Sequence, residues 1–181
     1  MLPQLKIIRR ALSIGGAIIG VASSYAYSEG IKKHDIQGFE VGMSRDDIVK
    51  KLEPLHCTDP RGIVISAASY LPYVGDIDAK CADGTNFKFI CSPYLETHPL
   101  LAIQTTINTQ LPMQELIASI EQQFDVRLRQ ASGAEYRADL GANRTLHFLY
   151  MTLSITDDKL VQESNSAQAE FIRRTNPPPK F

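Results

Sequence analysis

Side chains able to do chemistry are few in this chain, and their spacing is poor for catalysis. His56, Cys57, Cys81, Cys91 and His98 are metal-ligating types, but no Cys-x-x-Cys or His-x-x-x-His spacing brings two of them onto one turn or helix face, so no metal is expected. Asp76 with Asp78, and Asp157 with Asp158, are carboxylate pairs of the kind used in acid–base work. Each pair sits beside a turn signal, where Asp is favoured for capping backbone N–H groups. No Gly-x-Ser-x-Gly, Ser-x-x-Lys or glycine-rich phosphate loop occurs. The residues therefore point to a protein without enzyme activity and without a cofactor.

Three cysteines leave one over if a disulfide forms. Across a turn at Asp83-Gly84, Cys81 would face about Asn86, with Cys91 roughly 17 Å further along the strand. Bridged cysteines need Cα atoms within about 7 Å. That disfavours Cys81 with Cys91 and leaves the other arrangements open, three reduced thiols included.

The segment that precedes the fold sets the compartment. MLPQLKIIRR carries Lys6, Arg9 and Arg10 without an acid, and Ala11 to Ala22 is uncharged and apolar, which is the layout of a secretory signal. Residues 1–28 are read as a cleaved signal ending before Glu29 or Tyr27, or as an uncleaved anchor near the lower length limit of a membrane span. Either places the remaining chain outside the cytoplasm: periplasmic or secreted, or attached to the inner membrane with a periplasmic domain. No cysteine follows the apolar run to carry a lipid. Taking Lys6, Arg9 and Arg10 from 19 basic residues leaves 16 against 20 acidic ones. Neither half of the remainder supplies a basic face, so nucleic acid is not an expected partner.

Residues 29–37 are polar and read as a linker. Ser44 with Asp47 three residues later is a helix start, and Ile48, Val49, Leu52 and Leu55 give that helix its apolar face. Residues 62–70 fit a strand or a short helix equally well. Alternation at Ile77, Ala79 and Cys81, then at Phe87, Phe89 and Cys91, predicts a hairpin with one buried face, followed by a strand at Leu101 to Ile107. A second helix opens at Pro112 and carries Leu116, Ile117, Ile120 and Phe124 on one side. Strands are expected at Val126 to Gln130, Tyr136 to Leu140 and Thr145 to Ile155, then a turn at Asp157-Asp158. Residues 166–181 read as a polar tail, at most partly helical. Helix followed by antiparallel strands is thus written twice, as units 38–107 and 108–165. The expected fold is α+β, a tandem of two such units whose sheets lie side by side.

GFEVGMSRDDIVKKL, residues 38–52, resembles the G-M-[ST]-x-x-x-[VI] segment that opens the helix in the BamE/SmpA outer-membrane assembly proteins and in the β-lactamase inhibitor protein (BLIP). The motif residues are Gly42, Met43, Ser44, Asp47 and Ile48. The likeness is close over about fifteen residues and loose over 38–165. It implies helices packed on an antiparallel sheet and a non-catalytic role in binding other envelope proteins. It also implies a bridge between Cys57, just after the helix, and Cys81 on the first strand, with Cys91 a buried apolar residue. The second copy departs from the motif, with Gln110 and Pro112 in place of the glycine and serine.

The function expected is an exported protein-binding module of the bacterial cell envelope, of adaptor or inhibitor type. Its partner would be an envelope protein of unknown identity, and the membrane would be touched only through an uncleaved N-terminal segment. The alternatives are a single-span subunit of an envelope complex and, least favoured, a small enzyme. Tyr70, Tyr73, Tyr94 and Tyr136 are the candidate binding surface, because a rigid ring with a polar tip binds well. His147 alternates with Leu146 and Phe148 and should face solvent.

Overall fold

Seven strands pair into one antiparallel sheet. The computed structural model describes residues 34–70 and 75–175; the export segment, Tyr73, the side chain of Tyr70 and the end of the tail lie outside them. The helices are α1 (Arg45–Leu52), continued by a 3-10 turn (Glu53–Leu55), the single turn α2 (Ala67–Tyr70), α3 (Met113–Phe124) and α4 (Asp158–Thr175). The strands are β1 (Ile77–Lys80), β2 (Asn86–Cys91), β3 (Leu100–Thr106), β4 (Arg129–Ser132), β5 (Glu135–Gly141), β6 (Arg144–Leu149) and β7 (Thr152–Asp157). Their order across the sheet is β1-β2-β3-β7-β6-β5-β4. The α+β class expected from the sequence is present, but the two sheets are one. β3, last strand of the first half, pairs with β7, last strand of the second, through Ile103 opposite Ile155 and Thr105 opposite Leu153.

The register explains why one face is dry. Ile77, Phe89, Ile103, Ile155, Leu146 and Ala138 stand side by side across six strands, all buried. Ile48, Val49 and Leu52 of α1 and Leu116, Ile120 and Phe124 of α3 join them in a single core. Leu55 does not: it falls on the 3-10 turn that Pro54 helps to form and is exposed. Phe39 completes the core from outside the regular elements, its ring centroid 4.8 Å from that of Phe89 and 5.3 Å from that of Phe87.

The start of α1 ties the helix layer to the sheet. Gly42 has φ +87°, a value that disfavours a side chain, and its N–H donates to the Leu100 carbonyl at 2.7 Å. Leu100 N–H donates back to the Met43 carbonyl at 2.8 Å. Ser44 Oγ then accepts from Asp47 N–H at 3.2 Å and donates to the Asp47 carboxylate at 2.7 Å. That second bond, helped by Lys50, holds the Asp47 carboxyl below its ordinary range. Ser44→Ala should therefore cost about 1 kcal/mol, read as a lower urea midpoint at unchanged slope.

Four further expectations fail. The strand at Thr145 to Ile155 is broken into β6 and β7 by a tight turn whose central residues, Tyr150 (φ 45°) and Met151 (φ 66°), are both left-handed. Hairpin turns of that kind are normally announced by Asn or Gly. The strand at Val126 starts later, at Arg129, because Asp125 ends α3 in a left-handed cap and Val126 N–H still donates to the Glu121 carbonyl. The turn at Asp157-Asp158 is a helix start: Asp157 Oδ1 accepts from Leu160 N–H at 2.9 Å, and α4 runs on through most of the expected tail. Finally, the linker is partly core. His34 and Ile36 are buried, and His34 Nε2 lies 3.1 Å from the Phe124 carbonyl at the end of α3.

Candidate functional site

The face of the sheet turned away from α1 and α3 carries a polar row, although Ala102 on β3 is buried there and α4 packs near β3 and β7. Alternation along each strand sends Arg129, Arg137, His147, Ser154, Gln104, Lys88 and Asp78 to that side, and the pairing places them in one row across all seven strands. All seven are exposed or half-buried. The middle of the face is small and uncharged, with Thr152, Ser154 and Thr156 on β7 beside Gln104 and Thr106 on β3. Charge collects toward the two ends.

At the β1 end, a depression of about 630 Å³ is walled by Thr58, Asp59 and Pro60 and by Asp78, Lys80, Asn86, Lys88, Gln104 and Thr106. The wall is stiff. Asp59 Oδ1 accepts from the N–H groups of Arg61 and Ile63, both at 2.9 Å, and Oδ2 accepts from Arg61 Nε at 2.7 Å. Thr58 exchanges two backbone hydrogen bonds with Lys80, at 2.9 and 2.8 Å, so the 57–65 segment covers the outer edge of β1. The Cys57–Cys81 disulfide lies one residue to the side of that bridge and fastens it.

A second depression, of about 520 Å³, lies at the β4 end between Arg127, Arg129, Ala131, Arg137, Asp139 and Thr145. Here Arg137 Nε donates to Glu135 Oε1 at 2.6 Å, and His147 Nδ1 stands 3.4 Å from the same oxygen. The Arg137 hydrogen bond, with His147 beside it, holds the Glu135 carboxyl below the usual carboxylate range. The carboxylate in turn raises Arg137 above its ordinary value. Three arginines thus gather at one end of a chain whose second half is acidic in sum, a concentration that the count of charges by halves did not reveal.

Comparison of the chain with protein-family models, with curated proteins and with solved structures finds no match.

Of the four tyrosines singled out in the sequence, Tyr94 and Tyr136 are described, and they lie on different elements. Tyr94 lies in the loop after β2, exposed, its ring 5.9 Å from that of Phe171 on α4. Tyr136 points to the core side of β5, its ring 6.4 Å from that of buried Phe148. Tyr73 and the side chain of Tyr70 are outside the described residues. Of the remaining candidates, Cys91 is a buried free thiol, which burial pushes up to about 12. His147 is on the open face, as its alternation required. His56 sits on the exposed left-handed residue after the 3-10 turn, and His98 Nδ1 lies 3.1 Å from the Ser92 carbonyl. Among the described residues no three His, Cys, Asp or Glu side chains converge as metal ligands, and no helix is long and apolar enough to cross a membrane. The apolar stretch before Glu29 lies outside those residues.

Proposed function

We propose that the chain is an exported, non-catalytic protein-binding module of the cell envelope, and that the polar face of its sheet is the docking surface. The observation that carries this reading is the seven-residue row from Arg129 to Asp78, polar throughout on a face that neither α1 nor α3 covers. An uncharged centre with charged ends suits a partner that needs close approach in the middle and orientation at the rim. The disulfide accords with an oxidising compartment. The reading also takes the two halves as diverged copies of one helix-and-meander unit of the BamE/BLIP kind, in which the last strands join edge to edge.

Affinity capture of the tagged full chain from its native envelope tests the proposal. The wild type should retain a specific protein, and Gln104→Arg or Ser154→Arg, each adding a long charged side chain at the centre of the face, should abolish retention without changing the midpoint of unfolding. Equal retention by the variants would refute the sheet face as the docking surface. A mature N-terminus at Tyr27 or Glu29 would support the exported form over the single-span form.

A further inference from the structure

The two edges of the sheet are treated differently. On β1 the backbone groups facing outward at Lys80 are bonded to Thr58, and the disulfide keeps them so. On β4 nothing comparable is present among the described residues: all four residues, Arg129 to Ser132, are exposed, and β5 is the strand's sole partner. In any paired strand every second N–H and C=O points away from the neighbour, and an unfilled row of this kind is a template for one more strand.

The side chains around this edge say which strand it would accept. Arg127 and Arg129 are exposed and have no ion-pair partner among the described residues, while Arg137, already bonded to Glu135, stands directly opposite Arg129 on the next strand. Like charges placed opposite one another are unfavourable unless something compensates them. Asp139 is the one acid lining the adjoining depression. A second copy is a poor occupant, because pairing β4 with β4 would bring the arginines of both copies onto one seam. Nucleic acid offers the charge but cannot fill alternating amide donors and acceptors.

We propose that β4 accepts an extended acidic segment of a partner protein as an eighth strand. Main-chain hydrogen bonds to β4 supply affinity, and Asp or Glu at alternate positions meets Arg127, Arg129 and Arg137, which sets specificity. The proposal rests on the reading of the chain as a protein-binding module and names the chemistry of one partner element.

The test uses the full chain as purified and a short peptide alternating glutamate and valine, with a lysine-for-glutamate peptide as control. Hydrogen exchange should show protection of the β4 amides by the acidic peptide alone. Arg127→Glu combined with Arg129→Glu should weaken its binding at least about tenfold, whereas Lys88→Glu at the other end of the face should not. Any of three results would overturn the proposal. These are equal protection by the lysine peptide, no protection of β4 when the acidic peptide is bound, and a dimer whose β4 amides are protected without peptide. A short single-stranded oligonucleotide binding more tightly than the peptide would also overturn it. Envelope capture that survives the double arginine variant but not Gln104→Arg would reject the edge and leave the sheet-face reading standing.

Discussion

Phe89→Ala should remove about 3–5 kcal/mol from the stability of the fold. Phe89 is fully buried at the meeting point of three structural sources. Its ring lies 4.8 Å from Phe39, which comes from the segment before α1, and 5.4 Å from Phe87 two residues away on β2. Its backbone pairs place Ile77 on one side and Ile103 on the other. Deleting the ring leaves a cavity that those three sources cannot close together, because β1 and β3 are fixed by ladder hydrogen bonds and the Phe39 segment by its bridge to Ile36. A loss of that size is a large fraction of the stability of an ordinary domain. Val64→Ala, at a side chain 60% exposed, is the control and should cost close to nothing. The chain has no tryptophan, so unfolding in urea is followed by far-ultraviolet circular dichroism and tyrosine emission. Equal midpoints for the two variants would show that the three phenylalanines are not the centre of the core.

The hairpin that carries Phe89 was legible because its signals are local. Asp83-Gly84 marks the turn, Gly84 takes φ +87°, and alternation on either side selects the buried face. The turn at Tyr150-Met151 was not legible, since neither residue type announces a positive φ and alternation runs straight through it. Residue types gave no warning about His34 either: what fixes it is a carbonyl at Phe124, at the far end of another element. Helix α4 was not legible because its covered residues are Leu160, Val161, Ser164 and Ala167, with only the serine fully buried, too weak an apolar pattern to separate a docked helix from a tail. The candidate site was the least readable part. Alternation alone assigns His147 to the open side, but a row from Arg129 to Asp78 exists only once β3 pairs with β7. Nothing near Ile103 or Ile155 specifies that junction.

Opening the Cys57–Cys81 bridge should cost about 3 kcal/mol by the chain-entropy model, and its consequence should be local before it is global. The two cysteines are separated by 24 positions, so the bond closes a loop containing the 57–65 segment, α2 and β1. Within that loop the segment from Thr58 to Val64 makes one bridge to itself and one to Lys80, which is too little pairing to hold it against solvent unaided. Release would uncover the outer edge of β1. The double variant Cys57→Ala with Cys81→Ala should therefore unfold at a lower urea midpoint and expose the β1 amides to exchange ahead of those of β6 and β7. It should also self-associate more than wild type, as sheets with an unprotected edge do. Alkylation fixes the assignment. In denaturant without reductant, mass spectrometry should find a single label, on Cys91; in the native state that thiol, buried and pushed up to about 12, should stay unlabelled at neutral pH. A label on Cys57 or Cys81 without reductant would contradict the bridge. A double variant as stable as wild type would mean that the Thr58 bridge guards the edge by itself.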